Sequence, residues 1–424
     1  MLFNNFIGEF KSTLNQVCGS IITVGIILLS PFYFYASGLP QPPHILIFLA
    51  SLTFLLINKI IIFNFFKSYK SGVFFLCLVL IINFYYFMTF NNLSFVINSF
   101  YWLFNYILFI AVVALIEKKS IYFRVSSLIA FKFTLIIFAY LFGLGGYSFW
   151  PRYEYFFNGP NQLAYFSICL FLVYIALMGL RVNFIFLLVY SMLVLIVISS
   201  GGRSAYFALI PIVVILVWGL KRRISSVIVI MAIPLVVNMG FNFFKLPNFS
   251  VKQKIAAEIK KFDGAEIQAE YLKSNKGSSL VGNVADETKG RILNLTLDDN
   301  AQQDSILLQL SARGYLRALE HPVYLLFGAG QGYDERFIDR YGYVYEIHSS
   351  FFAILFYYGI FGLIFFLYFI WQIFKIKLNI LFLSPLIIYG LFTYGLRSPY
   401  FWFALAFLSA APDLFKLSDD DLRN

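Results

Sequence analysis

The sequence predicts an all-α, polytopic membrane protein with about twelve transmembrane helices and a large, partly helical outer loop before the tenth span. Three observations carry this. Long apolar runs recur along almost the whole chain. The composition is 60% hydrophobic and only 12% charged, against about 25% charged in soluble domains. Basic residues collect in alternate short connections. A run of roughly 18 or more apolar residues can cross a bilayer as a helix. Lipid offers the backbone no hydrogen bonds, so a spanning segment is a helix or part of a closed barrel. Barrel strands alternate apolar and polar residues, and these runs do not.

Taken in order, the spans centre on residues 17–36, 44–63, 72–91, 95–116, 127–146, 161–180, 184–200, 204–220, 225–243, 349–373, 379–396 and 400–415. Several are short for a hydrocarbon core of about 30 Å and need packing or local thinning around them. The first run ends in Leu-Pro-Gln-Pro-Pro and has no small-residue cleavage site, so it reads as a span and not as a cleaved leader. With the N-terminus cytoplasmic, inside connections hold Lys67 and Lys70, then Lys118, Lys119 and Arg124, then Arg181, then Lys221, Arg222 and Arg223, then Lys375 and Lys377. The opposite short connections hold Arg152, Arg203 and Arg397. Charge bias of this kind sets topology and places both termini in the cytoplasm.

The chain therefore divides into residues 1–243 with nine spans, 244–347 as a loop on the outer face, and 348–424 with three spans and a short cytoplasmic tail. Within the loop, Val251 to Leu272 has helical spacing and mixed charge, and Lys273 to Asn300 is polar and rich in Gly, Asn and Asp. Asp304 to Glu320 has the apolar spacing of an amphipathic helix, stopped at Pro322.

Composition also excludes function classes. The net charge of +11 is spread over short connections with no basic patch, so nucleic acid is not an expected partner. Cys18, Cys77 and Cys169 lie in or beside apolar runs without ligand spacing, which implies neither disulfides nor zinc. No Walker motif or Cys/His cluster occurs, and the first outer connection, Ser37 to Pro43, has no acidic residue to hold a divalent metal. No cofactor and no metal are expected. Spans almost free of acidic residues argue against a proton- or cation-coupled transporter.

Five groups of residues have the chemistry of a site. Arg203 follows two glycines in Ser-Ser-Gly-Gly-Arg-Ser-Ala. It is either a snorkelling interfacial arginine or a phosphate ligand whose planar fork is reached past Gly201 and Gly202, which let backbone approach closely. Arg313 and Arg317 are four apart and share one face of the expected loop helix, where an anion would relieve their repulsion; a solvated face balanced by Glu320 is the other reading. Gly328, Gly330 and Gly332 form a tight turn after an apolar run, with no strand–helix unit to make it a dinucleotide fingerprint. His348 sits where the polar loop meets a span. It is an interfacial anchor or a proton acceptor for a hydroxyl, with Glu346 two residues away to orient it. Arg152 and Asn161 flank a Trp-Pro-Arg…Asn-Gly-Pro-Asn-Gln loop, with Asn161 expected to cap the sixth span. Arg291 and Tyr333 complete the possible substrate contacts, and Tyr341, Tyr343 and Tyr345 add aromatic rings near the seam.

Together these motifs resemble the O-antigen polymerase and O-antigen ligase superfamily. Ser-Gly-Gly-Arg-Ser-Ala around Arg203 is similar to that family's Ser-x-Arg segment. The large loop before the tenth of twelve spans, and its ending His-Pro-x5-Gly-x-Gly followed by His-Ser-x9-Gly-x-x-Gly, from His321 to Gly362, complete the likeness. The resemblance implies a bacterial inner-membrane glycosyltransferase of surface polysaccharide (lipopolysaccharide) biosynthesis, with its active site facing the periplasm. It implies glycan transfer from undecaprenyl diphosphate without metal or nucleotide sugar. Carried over, Arg203 and a loop arginine, Arg313 or Arg317, bind diphosphate, and His348 handles the attacking hydroxyl. The family's Arg-x3-Leu arrangement is also met by Arg291 and Leu295. The implied partners are undecaprenyl-diphosphate-linked oligosaccharides and membrane lipid, with room for a chain-length regulator and a flippase. A polymerase is the expected activity. A ligase that transfers polymer to lipid A core shares the motifs, and a lipid-linked glycan flippase or transporter is the alternative from another class.

Overall fold

The computed structural model describes residues 2–35, 39–59, 63, 67–117, 122–147, 152–179, 183–219, 224–243, 313–337, 346–374 and 378–411. Helices dominate. In chain order they are α1 (Leu2–Val24), α2 (Pro42–Ile57), α3 (Lys70–Phe90), α4 (Ser94–Glu117), α5 (Tyr122–Leu141), α6 (Pro160–Met178), α7 (Phe184–Ser200), α8 (Arg203–Gly219), α9 (Ile224–Phe243), α10 (Arg317–Glu320), α11 (Val323–Phe327), α12 (Ser350–Phe374), α13 (Ser384–Phe392) and α14 (Pro399–Ala410). One small antiparallel hairpin, β1 (Gly146–Tyr147) with β2 (Tyr153–Tyr155), interrupts the helices between α5 and α6. The sequence did not announce it, because two- and three-residue strands leave no periodicity.

Five helical segments are long and apolar enough to cross a membrane: Glu9–Leu29, Lys70–Phe90, Ser94–Glu117, Pro160–Met178 and Ser350–Phe374. Shorter apolar helices of 10–17 residues accompany them. On α3, Ile81, Phe84 and Met88 are each more than 60% exposed. An outward face of that composition is stable in lipid and a liability in water. The chain is an all-α membrane protein.

The chain divides into two compact units. One comprises Met1–Val237 with Ser311–Asn424, and the other Asn238–Leu310. Of the second, the described part is the end of α9. The expected loop helix from Val251, the polar stretch to Asn300, Arg291, and the start of the Asp304–Glu320 helix lie outside the described residues, as do Tyr341, Tyr343 and Tyr345.

In the first unit the core is built on α4, α6 and α14. Helix α14 packs on both α4 and α6; α4 also meets α2 and α3, and α6 meets α5 and α7. These contacts are largely aromatic. Trp102 meets Trp402 edge to face at 6.1 Å, and Tyr165 meets Tyr400 edge to face at 5.7 Å. Ring pairs of this kind add about 0.5–1.5 kcal/mol each beyond their buried area. Helix α1 runs on into a π-helical turn, Gly25–Leu29. Lys132 of α5, almost fully buried, donates to the Leu28 carbonyl in that turn at 3.2 Å, and its ammonium lies 4.6 Å from the Tyr155 ring centre. Lys132 thus supplies a side-chain donor to the π-turn.

The long helix α12 is broken at Gly359, where φ is 69°. A break frees carbonyls that lipid cannot satisfy. The Gly-Ala-Gly turn fills the gap: Ala329 N–H donates to Phe356 O at 2.9 Å, and Gly330 N–H to Tyr357 O at 2.8 Å. The glycines are required on both sides. At Gly328 (φ 81°) a Cβ would stand 2.7 Å from Tyr357 O, and at Gly330 (φ 67°) 2.6 Å from the Tyr86 ring. What the turn brings its backbone close to is the broken helix. Gly328→Ala should therefore destabilise the protein by about 1–3 kcal/mol or more. Gly159→Ala, where a Cβ meets open space, should cost less than about 1 kcal/mol. Thermal unfolding in detergent compares the two.

Candidate functional site

Four of the expected site residues, Arg152, Asn161, Arg203 and Arg313, meet in one place, though not in the arrangement the spacing suggested. Arg152, Asn161, Gly201, Arg203, Ser204 and Arg313 line one cavity of about 470 Å³, closed on its apolar side by Phe207, Phe392 and Thr393. Three arginines from the hairpin, the start of α8 and the turn before α10 therefore share a space large enough for a diphosphate-sized anion.

Local structure explains the convergence. Helix α7 ends at Gly201 in the left-handed region, φ 60°, and α8 begins two residues later at Arg203. Arg152 crosses this junction: its Nε donates to Ser200 O at 3.2 Å and its Nη2 to Asn161 Oδ1 at 3.0 Å. A Cβ on Gly201 would lie 3.1 Å from Arg152 Cγ, and one on Gly202 would lie 3.1 Å from Asn161 Oδ1. The two glycines thus admit the Arg152 and Asn161 side chains, which hold the junction open beside Arg203. Asn161 does not cap α6. Pro160 pre-sets the first helical φ, Gly159 is the cap residue, and Asn161 stands one residue inside the helix. The start of α8, a 17-residue helix, points its positive end and free N–H groups into the same region.

Arg203 is exposed, and among the described residues no acceptor is bonded to its guanidinium. Arg313 is exposed as well. Arg317 differs. It is 2% exposed and donates to Asp334 Oδ1 at 2.9 Å, an ion pair beneath the loop. The expected shared helical face fails because Gly314, φ 70°, separates the two arginines; a Cβ there would lie 3.1 Å from Ile347 Cα. Arg313 falls in the turn on the cavity side and Arg317 in the next short helix.

His348 lies beside this cavity wall. Its N–H donates to Arg313 O at 3.1 Å. Solvent reaches the ring, yet protein surrounds it on most sides. That desolvation, with the fields of Arg313 and Arg317, pushes its pKa down to about 4. The imidazole is neutral at pH 7. Glu346 does not orient it. Its Oε2 accepts from Arg397 Nη2 at 2.6 Å and its Oε1 from Gln331 Nε2 at 3.4 Å, while desolvation holds its carboxyl above the usual range despite Arg397. Tyr333 takes a left-handed conformation, φ 52°, with its ring 5.9 Å from Phe90, so it belongs to the loop's anchoring. His44 completes a capping box with Gln41, and His321 ends α10. Cys18, Cys77 and Cys169 are free thiols.

Two arginines had no site reading in the sequence. Arg336 binds the glycine turn, donating to Gly330 O at 2.9 Å and to Ala329 O, with its guanidinium 4.5–5.3 Å from the Phe337, Tyr86, Phe95 and Phe90 ring centres. Arg397 pairs with Glu346. Both sit in polar segments next to apolar runs, which is also where topological arginines sit, so position alone does not reveal them.

Comparison with known protein families and with curated proteins finds no match to this chain.

The two classes of arginine should separate on substitution. Arg317→Ala removes a buried guanidinium from the half-buried Asp334, which keeps its bond from the Tyr357 hydroxyl, and should cost roughly 1–3 kcal/mol, read as a lower Tm. Arg203→Ala should leave Tm within a few degrees and weaken inorganic pyrophosphate binding by about tenfold or more in calorimetric titration, the loss of 1.5–3 kcal/mol per charge-assisted bond.

Proposed function

We propose that the chain is a glycan polymerase of the O-antigen polymerase and ligase type, which transfers an oligosaccharide from undecaprenyl diphosphate to a hydroxyl of a second lipid-linked repeat unit. The observation that carries this reading is the cavity shared by Arg152, Arg203 and Arg313, with His348, whose imidazole is neutral, tied through its backbone amide to the Arg313 carbonyl beside it. The His-Ser-x9-Gly-x-x-Gly likeness adds to it: Gly359 of that motif is the break in α12 that seats the loop.

On this reading the chain spans a bacterial inner membrane twelve times with both termini cytoplasmic. Residues 244–347 and the arginine cavity face the periplasm. The leaving diphosphate carries the electron pair of the broken sugar C–O bond, and the arginines stabilise that charge electrostatically. The acceptor oxygen forms the new C–O bond and loses its proton to His348. Anion binding has a second effect. Negative charge beside Arg313 offsets the field that depresses the imidazole pKa, so the base strengthens once donor is bound.

The pH dependence follows with a definite sign. A depressed histidine pKa keeps the base neutral above about 4, so protonation removes activity only as pH falls toward that value. The acid limb of kcat/KM, which reports free enzyme, should therefore lie below 6.5. The acid limb of kcat, which reports the donor complex, should lie at higher pH than that of kcat/KM. His348→Ala should lower kcat by about 10²–10⁴-fold.

Purified protein given lipid-linked repeat units alone tests the reaction itself. A ladder of lengthened glycans is the expected result. No ladder, with transfer appearing once lipid A core is added, would assign a ligase; movement of substrate across a vesicle without bond formation would assign a flippase.

A further inference from the structure

A second polar centre begins two residues before His348. Glu346 and Arg397 form an ion pair at 2.6 Å. Arg397 also donates from Nη1 to Asn98 Oδ1 at 3.1 Å, and its guanidinium lies 5.1 Å from the Tyr394 ring centre. Gln331 ties the pair into the core. Its Nε2 reaches Glu346, and its Oε1 accepts from Trp102 Nε1, Tyr358 OH and Tyr394 OH at 2.8–3.0 Å. Trp102 can only donate, which fixes the orientation of the Gln331 amide.

The burial of this group is uneven in a telling way. Gln331, Trp102 and Tyr358 are 1–2% exposed and Asn98 is 8%. The side chains of Glu346 and Arg397 are 29% and 24% exposed. A pair serving packing alone would close with its shell. Here the shell is closed and the pair is its solvent-reached floor. Each Glu346 oxygen keeps a second lone pair, and the Arg397 fork keeps N–H groups beyond the two it uses. The floor thus offers acceptors and donors side by side, with a tyrosine ring against the guanidinium.

That pattern selects a ligand class. A hydroxyl both donates and accepts, and two neighbouring hydroxyls match an adjacent carboxylate and guanidinium. An anion would be repelled by Glu346 and a cation by Arg397. A neutral polyol satisfies both without disturbing their ion pair.

Position gives the centre its place in the reaction. Burial alternates along the segment: Glu346 partly open, Ile347 closed, His348 open, Ser349 closed. The two solvent-reached side chains, Glu346 and His348, are thus separated by one closed residue, the alternation of neighbours on one face. The backbone amide of His348 in turn donates to the carbonyl of Arg313, whose residue lines the anion cavity. The order is arginine cavity, imidazole, Glu–Arg pair. We infer that Glu346 and Arg397 bind the acceptor saccharide, holding its terminal sugar by two hydroxyls so that a third reaches His348. This assignment rests on the reading of the arginine cavity as the donor diphosphate site.

The test uses full-length protein in lipid nanodiscs and a probe that can act only as acceptor. That probe is the free repeat-unit oligosaccharide released by mild acid from the host's lipid-linked glycans, which lacks lipid and diphosphate. Glu346→Gln keeps shape and removes charge; Arg397→Lys keeps charge and removes the fork. Both should weaken oligosaccharide binding by about tenfold or more and leave pyrophosphate binding within about threefold, which also shows that they are folded. Arg203→Gln should do the reverse. Wild-type oligosaccharide affinity in both variants, or no oligosaccharide binding by the wild type at millimolar concentration, overturns the subsite. The two readings fail separately: wild type that extends no lipid-linked glycan defeats the polymerase, whereas extension by wild type together with unchanged oligosaccharide affinity in the variants defeats the subsite alone.

Discussion

The arrangement at the functional end depends on one constraint: the carbonyls released where α12 breaks at Gly359 must find donors. They find them in the backbone N–H groups of Ala329 and Gly330. An unmet carbonyl in a low-dielectric interior costs several kcal/mol, so the loop is held in place as firmly as a helical turn. Everything downstream inherits that placement. Gln331 is delivered to the core polar network, Asp334 to Arg317 and to the Tyr357 hydroxyl, and Arg336 back onto the turn itself. Glu346 and His348, at the other end of the loop, are fixed from both sides, by Gln331 and by Arg313.

The arginines of this end divide into two sets with different physics. Arg317 is paired with a carboxylate, Arg336 is held by carbonyls and rings, and Arg397 is paired with a carboxylate beside a ring. These partners tie all three into the loop and its supports, so they help to position it. Arg152, Arg203 and Arg313 face one cavity without a carboxylate in its lining. Cations gathered in this way repel one another, and an anion of high charge density relieves the repulsion. On the proposed reading, that relief would stabilise the charge of a leaving diphosphate.

Much of this was legible in the sequence. Arg152, Asn161, Arg203 and Arg313 were each singled out by local chemistry, and the structure brings all four into one cavity. The glycines at 328, 330 and 332 read as a tight turn, and a Cβ on any of them would stand under 3 Å from its neighbours. The errors have a common form. Asn161 was expected to cap a helix, but Pro160 and Gly159 start the helix earlier. Arg313 and Arg317 were expected on one face, but the left-handed Gly314 sends them to different neighbours. In each case a single backbone conformation outweighed a spacing rule.

The sequence by itself determined the class of the protein. Apolar runs of that length can only be lipid-compatible helices, because the bilayer leaves the backbone no other way to satisfy its hydrogen bonds. It also determined which residue types were available for chemistry. Only the tertiary structure decided which arginines line the cavity and which are tied into the loop. That choice depends on partners tens to hundreds of residues away: Asp334 for Arg317, Glu346 for Arg397, the aromatic faces of α3 and α4 for Arg336. An arginine's charge is written in the chain, but whether it is spent on the fold or kept for a ligand is set by what packs against it.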